Sequence, residues 1–78
     1  MKWPKIGTRV IVTWLDCAGY IGEDLRNVKP LECWSEGVLV KSEKDFAVIA
    51  SSQYKDGSGD FTVLIKGCCL RLKRLPKC

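Results

Sequence analysis

The sequence predicts an all-β domain, a five-stranded SH3-like small barrel with a long loop between strands 1 and 2. Five short runs are rich in β-branched and aromatic residues, and turn-forming residues separate them. The connections come in the order long loop, short hairpin, loop and tight corner. The 78 residues suit one domain, spanning residues 1–78. An OB-like barrel is the alternative, although it usually has a helix between its third and fourth strands, where this sequence has no helical pattern.

Each strand is predicted from a run of alternating or continuous apolar residues. In the first run, Val10, Val12 and Trp14 share one face. Strands this short must close on themselves or wrap into two layers to bury their apolar faces. The five predicted strands are Thr8–Trp14, Gly37–Lys41, Phe46–Ser51, Phe61–Lys66 and Leu70–Leu75.

The closing stretch, Phe61–Leu75, is predicted to complete the barrel. It contains a strand, a Gly-centred corner and a second strand in which leucines alternate with cations. That alternation predicts Leu70 and Leu72 in the core, with Arg71 and Lys73 in solvent.

The connection over residues 15–35 is long, and long connections are usually either functional or poorly ordered. It contains two glycines, clustered acids and Pro30, and residues 23–28 have the composition for one helical turn. Its apolar residues are too numerous for a free linker. We therefore expect it to fold back across the body and bury some of the following residues: Tyr20, Ile21, Leu25, Val28 and Leu31.

An aromatic-lined groove beside this loop is the predicted protein-binding site. The predicted topology places Trp3, Tyr20 and Trp34 near the groove, and in SH3-like barrels such a groove binds extended peptides. Glu23 and Asp24 in the loop would favour a cationic partner. The other interpretation is that Trp3 and Trp34 close the ends of the small barrel.

Positive charge concentrates at the two ends of the chain. Residues 61–78 hold five cations and no acid, whereas residues 15–36 hold two cations and five acids. If the terminal strands lie side by side, their cations form one basic face that can contact phosphates. Few aromatic residues interleave with these cations, so nucleic-acid binding is the alternative function. It would use Lys66, Arg71, Lys73 and Arg74.

Catalysis, metal binding and cofactor binding find no support in the sequence. There is no histidine to act as an imidazole base, no Gly-rich phosphate loop and no carboxylate-rich metal motif. Residues 56–60 resemble a fragment of a calcium loop but lack the distal bidentate glutamate. No CxxC pair is present to begin a zinc site. We therefore predict a non-enzymatic protein with no catalytic residues, no metal and no cofactor.

The five cysteines are predicted to be reduced thiols. Their number is odd, two are adjacent and no signal peptide precedes them. No apolar run reaches the roughly 18 residues that cross a membrane. These features favour a cytoplasmic protein with no membrane contact. Cys68 shares the parity of the leucines in the last strand and is predicted to be a small core residue, and for Cys69 a reactive thiol near Lys66 and Arg71 is the alternative.

Four segments of the chain carry a family resemblance: Val12–Asp16, Glu32–Val40, Ala47–Ala50 and Ile65–Leu72. They resemble a group of short, uncharacterised phage and prophage proteins with a small β-barrel, and together they cover most of residues 7–75. The group often has a proline before its closing corner, where this chain has Lys66. The resemblance implies the fold and a mobile-element setting, and it carries over no functional residues. A host or phage protein is therefore the expected partner.

Overall fold

Five antiparallel strands form one sheet in the computed structural model, which describes residues 1–16, 25–27 and 29–76. The strand order across the sheet is β4-β3-β2-β1-β5. Two 3₁₀ turns, Leu25–Asn27 and Lys66–Cys68, are the helical elements of these residues, and neither is long and apolar enough to cross a membrane. The strands are β1 (Arg9–Asp16), β2 (Leu31–Ser42), β3 (Phe46–Gln53), β4 (Gly59–Ile65) and β5 (Cys69–Arg74).

The apolar core lies on one face of this sheet. Val10, Val12 and Trp14 of β1 point into it at alternate positions, as the geometry of a strand requires. Trp14, Cys69 and Leu72 are partly buried and pack against the same cluster, so all five strands contribute to the core. The fully buried residues are at most 1% exposed: Val10, Val12, Leu39, Ala47, Ile49 and Leu64.

The predicted closure into a barrel is not found. β4 and β5 are the two edges of the sheet, and within residues 1–16, 25–27 and 29–76 they do not pair with each other. The three-residue turn Lys66–Cys68 carries the chain from one edge to the other. The sheet curls far enough for Leu64 of β4 and Leu72 of β5 to pack on one cluster, so the core is covered without a β4–β5 ladder. A turn rather than a helix joins β3 to β4, unlike the OB-like alternative.

The terminal strands lie side by side, as predicted. β1 is paired with β2 on one side and with β5 on the other. The pairing continues past the end of β5, because the N–H of Leu75 donates to the carbonyl of Arg9 at 2.8 Å.

β2 begins six residues earlier than predicted, at Leu31 instead of Gly37. Residues 31–36 pair with the second half of β1, with Leu31 opposite Asp16. Polar residues led to the prediction of a loop here. These residues in fact alternate as a half-solvated strand does, since Cys33 and Ser35 are half-buried and their neighbours Glu32, Trp34 and Glu36 are exposed. Trp14 donates its indole N–H to the Ser35 hydroxyl at 3.0 Å, which satisfies the polar atom of a core aromatic.

The prediction that Leu70 lies in the core is wrong, and a β-bulge is the reason. Thr13 lies opposite Arg71 and Trp14 opposite Cys69, so Leu70 has no partner on β1. The extra residue reverses the faces of the residues that precede it. Cys69 therefore packs against the core, and Leu70 is exposed. Cys68, which was predicted to be a core residue, lies half-buried in the 3₁₀ turn.

The long connection between β1 and β2 contains the 3₁₀ turn at Leu25–Asn27, within the predicted helical turn. Leu25 and Leu31 were expected to be among the buried residues, and both are exposed. The other three residues of that prediction lie outside the described residues: Tyr20, Ile21 and Val28.

Candidate functional site

The two tryptophans of the predicted groove lie on opposite sides of the sheet. Trp3 packs against the core cluster, with the Lys66 Nζ 5.2 Å from its ring centroid. Trp34 is on the outer face and is 70% exposed. Trp3 therefore covers the core, which agrees with the second interpretation for this residue, whereas Trp34 covers no part of the core. Tyr20, Glu23 and Asp24, the other members of the predicted groove, lie outside the described residues.

The outer face of β2, β1 and β5 has Trp34 at its centre. Trp34 lies opposite Thr13, and Thr13 lies opposite Arg71, so the three form one row across the strands. The next row contains Glu36, Ile11 and Lys73. We call the residues of these rows, together with Glu32 on β2, the Trp34 face: Thr13, Trp34, Arg71, Ile11, Glu36, Lys73 and Glu32.

Two ion pairs flank Trp34. Arg71 donates from Nη2 to Glu32 Oε1 at 3.0 Å, and Arg9 donates from Nη2 to Glu36 Oε1 at 3.1 Å. Exposed pairs of this kind stabilise a fold by only about 0–1 kcal/mol. Their effect is to hold four charged side chains around the indole and to balance their charges. The surface around Trp34 is therefore mixed in charge and not uniformly basic.

An apolar cleft of about 640 Å³ adjoins this row on the β5 side. Ile11 and the outward-turned Leu70 provide apolar lining, and Lys73 provides a cation. Trp34 lies one strand away, opposite Thr13. Together the cleft and the indole can take up apolar side chains of a partner. The sequence does not identify Leu70 as a surface residue, because nothing in the alternation of β5 indicates the bulge that exposes it. The cleft is lined by Met1, Ile11, Thr13, Leu70, Arg71, Leu72 and Lys73.

The four predicted phosphate-contacting cations do not form one patch. Arg71 and Lys73 are on the Trp34 face, where Arg71 pairs with Glu32. Lys66 instead donates from Nζ to the Ser42 hydroxyl at 2.8 Å, beside Trp3. Strand alternation separates Arg74 from its neighbour Lys73, because adjacent residues point to opposite faces.

Arg74 instead lines a second cleft, of about 400 Å³, with Lys2 and Lys5. The remaining lining residues are Trp3, Pro4 and Thr8, so the cleft contains three cations and no carboxylate. Backbone contacts hold its amino-terminal side in place: the Gly7 N–H donates to the Leu39 carbonyl at 2.8 Å, and Pro4 is buried. Pairing of β1 with β5 brings these cations together from the two ends of the chain.

The surroundings of Cys69 disfavour its thiolate form. Burial raises the pKa of its thiol above the ordinary value, the neighbouring Cys68 raises it further, and the charge of Lys66 acts in the opposite direction. The thiol also lies 3.3 Å from the Ile65 carbonyl, to which it can donate. A raised pKa leaves less thiolate at neutral pH. Among the described residues, no three cysteine, aspartate or glutamate side chains gather as a metal site requires.

Asp56, in the segment that resembles part of a calcium loop, supports a turn. Its Oδ1 accepts hydrogen bonds from the Ser58 N–H at 2.9 Å and from the Ser58 hydroxyl at 2.6 Å. These bonds, led by the one from the hydroxyl, hold the pKa of Asp56 below its ordinary value. The carboxylate therefore serves the β3–β4 connection.

No protein-family model matches the chain, and searches of curated proteins and of solved structures found no match.

Proposed function

We propose that this chain is a non-enzymatic interaction module that binds a protein through the Trp34 face. The exposure of Trp34 is the observation that carries the proposal. A large aromatic side chain in water, next to an apolar cleft, is typical of an interaction surface, and tryptophan and arginine are enriched among residues that dominate binding energy. The paired charges around Trp34 favour a protein over a polyanion, because Glu32 and Glu36 would repel phosphates.

The partner suited to this face is a protein segment that places an apolar side chain against Ile11 and Leu70 and a second one on Trp34. The resemblance to phage and prophage proteins supports a host or phage protein in the host cytoplasm. Three features support an SH3-like arrangement for the module: the long β1–β2 connection, the 3₁₀ turn before the last strand, and the pairing of β1 with β5.

Trp34→Ala is expected to weaken partner capture strongly without unfolding the domain, since the side chain contributes little to the core. The immobilised wild-type chain and the variant are exposed to the same host lysate, and the retained proteins are quantified by mass spectrometry. A central aromatic anchor contributes about 2–4 kcal/mol, so we expect partner recovery to fall at least about tenfold. Tyr54→Ala is the matched control, because Tyr54 is 63% exposed but lies in the β3–β4 connection. Identical recovery by all three chains would refute the proposal.

Nucleic-acid binding is a second candidate, favoured by the cleft that Lys2, Lys5 and Arg74 share. Binding there would depend mainly on phosphate contacts and would weaken steeply with salt. Titration of a labelled single-stranded oligonucleotide at low and moderate salt tests it. Each of Lys2→Ala and Lys5→Ala is expected to reduce the slope of log affinity against log salt by about one. Absence of binding at low salt would remove this candidate.

A further inference from the structure

The first half of β2, residues 31–36, is paired on one side only. Its ladder with β1 is complete, whereas the ladder with β3 on the other side begins at Val38, opposite Ala50. A cleft of about 360 Å³ opens where β2 and β3 separate, and both Gly37 and Ser51 line it. Within residues 1–16, 25–27 and 29–76, no strand pairs with residues 31–36 on this side. An unpaired stretch of strand is a template for a further strand.

The backbone of Glu32 and Trp34 points to the unpaired side. The Leu39 N–H donates to the Thr8 carbonyl at 2.9 Å, so these two residues form a hydrogen-bonded pair at one end of the β1–β2 ladder. Hydrogen-bonded and non-hydrogen-bonded pairs alternate along such a ladder, and its register has no shift. Trp34 and Glu32 lie an odd number of positions from Leu39, so their N–H and C=O groups point away from β1. Across the described ranges, no backbone hydrogen bond outside the strand ladders involves them.

Three side chains of the Trp34 face follow this edge: Glu32, Trp34 and Glu36. They occupy alternate positions, so the exposed indole lies between two carboxylates. Arg71 and Arg9 each donate to Oε1 of one glutamate from the β1 side. A carboxylate has a second oxygen that can accept from another donor. Oε2 of each glutamate accepts no hydrogen bond from the residues that the structure describes.

The same charges disfavour pairing of this edge with a second copy of the chain. Antiparallel pairing about Trp34 would place Glu32 opposite Glu36 of the second copy at both ends, and like charges directly opposite destabilise a sheet. A strand with cations at those two positions would instead be matched. Residues 15–36 hold two cations and five acids, so the charge of this part of the chain also attracts a basic segment.

We propose that a strand of a different protein pairs antiparallel with residues 31–36, and that this strand has a cation, an apolar residue and a cation at alternate positions. The apolar residue lies opposite Trp34, and the cations lie opposite Glu32 and Glu36. The outward N–H and C=O groups of β2 provide main-chain hydrogen bonds, and the alternate side chains provide specificity. The inference rests on the proposed function, because it names the kind of segment that covers Trp34.

Titration of the full chain with synthetic peptides, followed by NMR and amide exchange, tests this pairing. The first peptide has seven residues, with valine at the centre, lysine two positions to either side and threonine elsewhere. The second has glutamate in place of lysine, and the third has an N-methylated valine that cannot donate to β2. We expect saturable binding of the lysine peptide and at least about tenfold weaker binding of the other two.

Binding of the lysine peptide should slow exchange of the Glu32 and Trp34 amides at least about tenfold. The amides of Cys33 and Ser35 already donate to β1, because they lie at the hydrogen-bonded positions of that ladder, and their exchange should change little. This contrast between neighbouring residues identifies strand pairing, since binding to side chains alone would not produce it.

Glu32→Lys should reverse part of the charge match and lower the preference for the lysine peptide over the glutamate peptide at least about tenfold. Glu43→Lys is the matched control, because it makes the same charge change at an exposed position in the β2–β3 connection. The control variant should keep the wild-type preference. The peptide titrations of the wild-type chain decide the question even if Glu32→Lys fails to fold.

Equal binding of the lysine and glutamate peptides would overturn the proposal, as would no binding at millimolar peptide. Protection of the Glu32 and Trp34 amides in the unliganded chain would also overturn it, because the same chain or a second copy would then cover the edge. The proposed function is tested separately by lysate capture. Loss of capture by Trp34→Ala together with no peptide binding would keep the Trp34 face as a binding surface and reject the strand pairing.

Discussion

Leu72→Asp unfolds the domain, whereas Lys73→Asp, one residue further along β5, leaves it folded. Leu72 lies opposite Val12, which is fully buried, and packs against the core cluster. The substitution removes apolar burial and brings an unpaired carboxylate into a core without other buried polar side chains among the described residues. Each effect costs on the order of a few kcal/mol, and small domains have only about 5 kcal/mol to lose.

Lys73 is the matched control because it receives the same new side chain on the same strand. Its side chain is exposed and belongs to the Trp34 face, opposite Ile11. Near-UV circular dichroism and urea denaturation report the outcome: no cooperative transition for Leu72→Asp, and a change within about 0.5 kcal/mol for Lys73→Asp. A folded Leu72→Asp protein would show that this register of β5 is wrong.

Gly37→Ala is expected to destabilise the pairing of β2 with β3 by about 1–3 kcal/mol, the usual cost of overpacking. A Cβ at this position would lie 2.6 Å from the carbonyl oxygen of Ala50 and 2.9 Å from its carbonyl carbon. Both atoms belong to the backbone of β3, so no side chain can move aside to make room. The melting temperature should fall by about 4–8 °C for each kcal/mol lost.

Gly67→Ala provides the comparison for this measurement. Nothing lies within 4 Å of a Cβ added to Gly67, and its φ is not in the left-handed region. Its melting temperature should stay within a few degrees of the wild-type value. Equal stability of the two variants would contradict the close approach of β2 to β3.

The five strands were predictable because their apolar runs are short and turns separate them. Val10, Val12 and Trp14 share one face of the first strand, whereas the other face has the polar residues Arg9 and Thr13 beside Ile11, so the pattern favours the first face as the core face. The start of β2 was not predictable in the same way, since Glu32 and Trp34 are polar or amphipathic residues that also suit a loop. Their pairing with the second half of β1, which runs to Leu31 opposite Asp16, extends the strand over them.

The candidate site was less predictable than the fold. A bulge depends on how two strands meet, so the sequence of β5 alone could not show that Leu70 turns outward. Trp34 is exposed because it lies on the outer face of β2, and Trp3 is partly buried because it packs against the core cluster. Composition identified both as large aromatics and could not separate their roles. Arg71, Lys73 and Arg74 lie on β5, which pairs with β1 as predicted. Strand alternation nevertheless places Arg71 and Lys73 on one surface and Arg74 on another.

The central position of β1 has a consequence for how the chain folds. β1 comes first among the strands, yet one of its two neighbours is β5, the last. Closing that pair brings together residues that are some sixty positions apart, and loop-closure entropy opposes such non-local contacts until they form. We expect folding in the slow range of small all-β domains, milliseconds to seconds. During synthesis β1 has an unpaired side until β5 is available, so the native sheet is completed after most of the chain has been made.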